Sequence, residues 1–267
     1  MLPSLDCPET ARANKRSCEP VSLYDVAEVY DAIVPPGPCE VFYKDLARRS
    51  GGPVLELACG TGRLTVPIAQ DRHEVVGLDS SPAMLAAAEG KAAGQGLRIA
   101  FETGDMRGFD LGRRFGLVIL SCNSLSHLTE PEDLQACLAA VRRHLRVGGL
   151  FAFDVVLPDP RDLARSGQEP RRLDLGPNPA SAIEAVEEVD YDPVRQLRTG
   201  RWRIWPETAS ELSLAPLVQR QFFPHEIPLL LEAANLDLVA RYGDFARNPL
   251  ASWSLNQVCV ARRRAGA

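Results

Sequence analysis

Three carboxylates and one glycine turn are the residues of this chain whose types and spacing could do chemistry together. Glu56 lies within the apolar run Val54–Ala58, four residues before Gly60-Thr61-Gly62. Asp79 ends the next apolar run, in Val75-Val-Gly-Leu-Asp-Ser-Ser, and Asp105 follows a third, in Glu102-Thr-Gly-Asp-Met106. A glycine turn between a buried strand and a helix lets the chain reverse sharply. It also admits a ligand against backbone that has no Cβ and offers that ligand free N–H groups at the positive end of a helix dipole. Asp79 is placed to take both hydroxyls of a ribose. Asp105 is placed to accept from an adenine amino group, with Met106 packing on the ring. Each acid alone is more often a solvated loop residue; their arrival at successive strand ends of one sheet edge carries the reading. The acid at Glu56 disfavours a pyrophosphate and suits a ligand with positive charge. A dinucleotide fingerprint would have glycine where Thr65 stands, and the Gly-Lys-Ser/Thr phosphate cradle is missing.

These groups need a parallel sheet to bring them to one edge. The strand candidates are short apolar runs, Val54–Ala58, Glu74–Leu78, Arg98–Glu102, Leu117–Ser121 and Leu150–Val156. Helical patterns at Arg63–Gln70, Ser81–Ala93 and Glu132–Leu145 separate them, the last stopped by Gly148-Gly149. The link Asp105–Arg114 is short and irregular, a weak helix candidate. Upstream, helices are expected over Val21–Asp31 and Glu40–Arg49, broken between them by Pro35-Pro36-Gly37-Pro38. The expected class is therefore α/β: a doubly wound, mostly parallel seven-stranded sheet with helices on both faces.

Beyond Pro158-Asp-Pro160 the pattern changes. Residues 161–181 read as a connecting loop, Ile183–Tyr191 and Gln196–Trp205 as an antiparallel hairpin about Asp192-Pro193, and Leu212–Phe223 as another strand of that small sheet. Glu184, Glu187 and Glu188 face Arg198, Arg201 and Arg203 across the hairpin, either as ion pairs on a solvated face or, with Trp202 or Trp205, as the wall of a pocket. A helix at Pro224–Ala234 and strands Leu236–Tyr242 and Ser254–Arg262 return the chain to the main sheet, while His225 and Trp253 read as structural. The domain reading is a flexible arm over 1–20, a nucleotide-binding domain over 21–160 and 224–267, and an antiparallel insertion over 161–223.

Composition excludes several classes. The 267 residues, 45% hydrophobic and 24% charged, describe a globular chain with material for a sizeable core, and a net charge of −5 makes nucleic acid an unfavoured partner. No apolar run reaches the roughly 18–20 residues of a membrane span, and the N-terminus has no secretory apolar stretch. Seven cysteines without a Cys-x-x-Cys pair suit reduced thiols in the cytoplasm. The four histidines include no two at ligand spacing, so no metal site is expected.

With Glu56-x-Ala-Cys-Gly-Thr-Gly62, Leu78-Asp-Ser-Ser-Pro-Ala-Met84, Gly104-Asp-Met106, Phe115-Gly-Leu-Val-Ile-Leu-Ser121 and Leu145-Arg-Val-Gly-Gly-Leu150, residues 20–157 resemble the class I S-adenosylmethionine-dependent methyltransferases. Ala58 stands where many members have glycine. The resemblance implies a Rossmann-like fold and S-adenosyl-L-methionine as cofactor. It gives the methionine end to the turn at Gly60 and Gly62, the ribose to Asp79 beside Ser80, and the adenine to Gly104, Asp105 and Met106, with Met84 nearby and Ser121 at the fourth strand's end. Tyr24-Asp-Val-Ala-Glu-Val-Tyr-Asp31 and Cys122-Asn-Ser-Leu-Ser-His-Leu128 are similar to the small-molecule N- and O-methyltransferases that include glycine and aminosugar enzymes. There Tyr24 and Tyr30 would fold over the cofactor, and the loop carrying His127 would border the methyl group. His127 is the leading candidate for a general base, with Tyr24 the second catalytic candidate. The expected partners are a small-molecule acceptor and a second copy of the chain in a homodimer, with no nucleic acid and no membrane. An NAD(P)-dependent oxidoreductase and a non-catalytic nucleotide-binding protein are the rival readings.

Overall fold

The computed structural model describes residues 20–175, 183–205 and 211–265, so the expected arm falls outside the described residues except for its last position. A 3₁₀ turn at Leu23–Asp25 opens the described chain. It is followed by α1 (Ala27–Ile33), α2 (Cys39–Ser50), β1 (Val54–Leu57), α3 (Thr65–Gln70), β2 (Val75–Asp79), α4 (Pro82–Gly94) and β3 (Ala100–Thr103). Next come β4 (Phe115–Leu120), a 3₁₀ turn at Ser124–His127, α5 (Pro131–His144) and β5 (Leu145–Val156). Every residue of β1, β2 and β4 is buried, which is why these strands read as unbroken apolar runs. The helices carry conventional punctuation. Ser81 caps α4 by accepting from the Met84 N–H ahead of Pro82 at the first turn. In α5, Glu132 and Asp133 stand at the positive end and Arg142 and Arg143 at the negative end.

The second half adds α6 (Pro160–Leu163), β6 (Arg171–Leu175), β7 (Ile183–Asp192), β8 (Leu197–Trp205), β9 (Leu212–Ser213), β10 (Leu217–Arg220), α7 (Glu226–Ala233), β11 (Leu236–Tyr242) and β12 (Asn256–Arg263). The main sheet has seven strands in the order β11-β12-β5-β4-β1-β2-β3, parallel from β3 to β5, with β12 and β11 antiparallel at the far edge. A separate antiparallel sheet runs β10-β8-β7-β6, and β9 also pairs with β8. The expected fold class is thus the observed one. The strand order reverses between β1 and β4, so the crevice lies outside the carboxyl ends of these strands.

Several elements differ from expectation for identifiable reasons. Residues 105–114 form no helix, because buried Phe109 stacks on His144 at 4.3 Å and the Leu111 N–H donates to His144 Nε2 at 3.1 Å. Leu212–Phe223 breaks at Ala215-Pro216 into β9 and β10. The expected loop 161–181 holds α6 and β6, and its residues 176–181 lie outside the described residues. The hairpin acids do not share one face. Strand period places Glu187 inward with Ala185 and Val189 and turns Glu184 and Glu188 away, while Arg201 pairs with Asp190.

The N-terminal segment belongs physically to both halves. Leu23, Val29 and Ile33 pack on Ile183, Ala185, Ile204 and Leu214 of the small sheet, and Val21 bridges to Leu214. Gly77 in β2 has no room to grow: a Cβ there would sit 2.8 Å from Phe101 Cδ1 and 2.9 Å from Cys59 Sγ. Gly77→Ala should therefore lower unfolding free energy by about 1–3 kcal/mol, read from denaturant titration, through overpacking alone.

Candidate active site

The turns after β1 and β2 are tied together by one carboxylate. Asp79 Oδ2 accepts from the Gly60 N–H at 2.7 Å and Oδ1 from the Ser81 N–H at 2.8 Å, so the acid is fixed at the crevice. Ala58, Gly60 and Gly62 all have positive φ, at 49°, 54° and 77°. The two glycines serve different ends. A Cβ on Gly60 would have Tyr30 as its nearest neighbour, at 3.9 Å across the cavity, whereas a Cβ on Gly62 would strike Ala88 at 3.1 Å and Val66 at 3.2 Å. Gly62 thus lets the turn pack on α4, and only Gly60 presents bare backbone to a ligand.

Two cavities meet along Ala58, Asp79, Ser80, Met106 and His127. One, of about 290 Å³, extends past Gly104, Asp105 and Met106. The other, of about 440 Å³, is roofed by Tyr24 and Tyr30 and reaches Cys122, Ser124, Trp202 and Gln219. Hydrogen bonds hold the roof down. Ser81 Oγ donates to the Tyr24 carbonyl at 2.7 Å, and Asp31 accepts from Thr61 Oγ1 at 2.6 Å while pairing with Lys91 at 2.6 Å.

Tyr24 and His127 meet there, with Tyr24 Oη 2.8 Å from His127 Nε2. Burial lowers the affinity of His127 for a proton and raises that of the Tyr24 phenolate, so the pair is a neutral imidazole beside a neutral phenol. Tyr30 Oη points at Cys122 Sγ, 3.9 Å away. Cys122 and Asn123 both hold left-handed backbone, φ 58° and 59°. Asp154 of β5 keeps them there: its carboxylate accepts from the Cys122 and Asn123 N–H groups, each at 3.1 Å, and from Tyr43 Oη at 2.6 Å. Burial raises the Asp154 pKa against the pull of these bonds. Trp202, one of the two tryptophans offered by the sequence as a pocket wall, does line the cavity, whereas nothing in the sequence pattern singled out Asp154 or Gln219, because each reaches the site from a separate element.

Four expected cofactor residues stand behind the cavity walls. Met84 is packed in the core on α4, and Gly62 is buried beside it. Glu56 is 2% exposed; it accepts from Thr65 Oγ1 and, at 3.5 Å, from Ser121 Oγ, so neither Glu56 nor Ser121 lines the cavity. Glu56, a strand residue beneath the turn, points into the sheet's packing toward Thr65 and away from the crevice. Asp105 does line it. Its oxygens are taken up by Arg107 at 2.6–3.0 Å, and that guanidinium holds the carboxyl below its usual range.

Residues 54–149 match the methyltransferase domain family. The putative methyltransferase YqeM of Bacillus subtilis is 34% identical over 134 residues, 48% of this chain and 53% of that protein. The dTDP-3-amino-3,4,6-trideoxy-alpha-D-glucopyranose N,N-dimethyltransferase of Streptomyces venezuelae is 34% identical over 101 residues, 38% of this chain and 41% of that one. The chain spans about half the length of the curated relatives it matches. Among solved structures, the CcbJ methyltransferase of Streptomyces caelestis superposes with a TM-score of 0.77 at 27% identity, covering 91% of this chain and 99% of that one. The fold is that of the class I methyltransferases, which use S-adenosylmethionine. The chain carries a methyltransferase domain over residues 54–149. The crevice fits that cofactor chemically: an anchored carboxylate stands where a ribose diol would need an acceptor, beside a turn with no Cβ.

Glu56 has a consequence of its own. Burial raises its pKa from 4.5 to about 7, against the hydrogen bond from Thr65 and the charge of Arg63. The folded chain thus holds this proton more tightly than the unfolded chain, a contribution fully present below the unfolded value and lost as pH rises through about 7. The melting temperature of wild type relative to Glu56→Gln should therefore fall as pH rises from about 4.5 to about 7 and level off above that. A constant difference would show that Glu56 does not titrate there.

Proposed function

We propose that the protein is an S-adenosylmethionine-dependent N-methyltransferase of a small-molecule amine. The Tyr24–His127 contact, at the junction of two cavities that share Asp79, is the observation that carries this reading. The aminosugar N,N-dimethyltransferase among the relatives favours nitrogen over oxygen as the acceptor atom. The oxidoreductase alternative gains no support from the family match or the structural neighbour. In this reading residues 21–160 and 224–267 hold the cofactor and residues 161–223 cover the acceptor. The five described cysteines are free thiols, in keeping with a cytoplasmic enzyme, and light scattering would test the expected homodimer.

Bound S-adenosylmethionine supplies a methyl group already activated on a positively charged sulfur. In-line displacement then needs alignment and exclusion of water, which the Tyr24 and Tyr30 roof provides. The attacking amine gives its lone pair to the new N–C bond as the C–S bond breaks, and the resulting ammonium sheds a proton. Tyr24 Oη accepts that proton while passing its own to His127 Nε2, whose ring is free to take it because burial keeps the resting imidazole neutral.

His127→Ala should lower kcat about 100-fold and leave S-adenosylhomocysteine affinity nearly unchanged. Equal loss of both would make His127 structural. The acid limb of kcat in the wild type should lie below about pH 6.5, since burial lowers the imidazole pKa, and should vanish in the variant. Asp79→Ala should weaken S-adenosylhomocysteine binding by about 1–3 kcal/mol in calorimetry. Binding of NAD with no binding of the adenosyl ligand would overturn the assignment, and binding without S-adenosylhomocysteine release from any amine acceptor would leave a non-catalytic protein.

A further inference from the structure

A third cavity, of about 530 Å³, opens between the small sheet and the carboxyl end of the main one, and shares Trp202 and Gln219 with the cavity holding Tyr24 and His127. Its charged lining is internally balanced. Asp159, Asp162 and Glu187 face Arg161, Arg171 and Arg198, and every guanidinium is committed to a carboxylate. Arg161 pairs with Asp159 at 2.9 Å; Arg171 reaches Glu187 at 2.6 Å; Arg198 reaches Glu187 at 2.7 Å and Asp162 at 2.8 Å. Glu187 is 2% exposed and also accepts from Trp202 Nε1 at 2.9 Å, which fixes the indole as a partition between the chambers. The rim is apolar in an unusual way: Trp253 is 83% exposed and Leu255 78%, with Val156 half-exposed beside them on the same cavity. Exposed large side chains gathered on one rim mark a surface that a ligand covers.

Resting on the methyltransferase reading, we propose that this outer chamber holds the apolar, uncharged body of the acceptor, whose amine passes Trp202 to reach Tyr24 and His127. A nucleoside diphosphate is the wrong occupant. It needs unpaired cations or free N–H donors, and here it would meet paired guanidiniums and the carboxylates of Asp159 and Asp162. The acceptor is therefore an amine carried on a neutral conjugate, an arylated glycoside for example. The reaction that supplies it is a group transfer that has already discharged the diphosphate carrier.

The test uses the whole protein saturated with S-adenosylhomocysteine and two probes sharing one aminosugar, 4-nitrophenyl 2-amino-2-deoxyglucopyranoside and uridine-diphosphate glucosamine. Calorimetry should show the aryl glycoside binding about tenfold tighter. Trp253→Ala with Leu255→Ser, both at exposed positions, should erase that preference and leave S-adenosylhomocysteine affinity unchanged. Equal or tighter binding of the nucleotide sugar, no detectable binding of the aryl glycoside, or a preference that survives the rim substitutions would overturn the proposal and leave the methyltransferase reading standing. Failure of S-adenosylhomocysteine itself to bind would instead overturn both.

Discussion

A sheet buried on both faces can show polar groups to solvent or ligand only where its strands end. β1, β2 and β4 leave no exposed residue along their length, so what these strands themselves offer a ligand is confined to the turns at their carboxyl ends. The Asp79 carboxylate sits at that edge and spans two of those turns, accepting from Gly60 and Ser81. It orients the glycine turn and the start of α4 relative to each other, and both cavities take part of their wall from it. Asp154 does the same for the turn after β4, holding Cys122 and Asn123 in a backbone conformation that side chains disfavour. Two buried carboxylates thus set the shape of the crevice.

The frame of this arrangement was legible in the sequence, because a parallel sheet writes itself as short apolar runs spaced by helical periods. The strands, their helices, the glycine turn and the strand-end acids at Asp79 and Asp105 all follow from that pattern. What stayed hidden depends on where a side chain points once the turn closes. Glu56 looks like a ligand for a cation, yet it faces Thr65 inside the sheet. Met84 and Gly62 look like cofactor contacts and are packing between the turn and α4. Tyr24 and His127 each stood out alone, but 103 positions separate them and only the fold sets them 2.8 Å apart.

The insertion was harder to read for a related reason. Three acids and three arginines along a hairpin suggest cross-strand pairs, but a period of two divides them between faces. Glu187 turns inward and draws Arg171 from β6 and Arg198 from β8 onto itself. Asp162 joins them from α6, an element the sequence reading had placed in a loop. Trp253, expected to be structural, projects instead from the cavity rim, since hydrophobicity alone does not say whether a tryptophan is covered by protein or awaits a ligand.

The small sheet keeps a hydrophobic cluster of its own, Ile183, Ala185, Ile204 and Leu214, completed by side chains of the segment before α2. The domain match runs from 54 to 149 and stops before any of those residues on either side. The residues of the family match and the residues that close the small sheet therefore lie in separate stretches of chain, although Tyr24 and Tyr30 share one cavity wall with Gly60 and Asp79. Drift in the covering pieces can reshape the cavity wall they form, while the crevice beneath stays under its own, stricter packing rules.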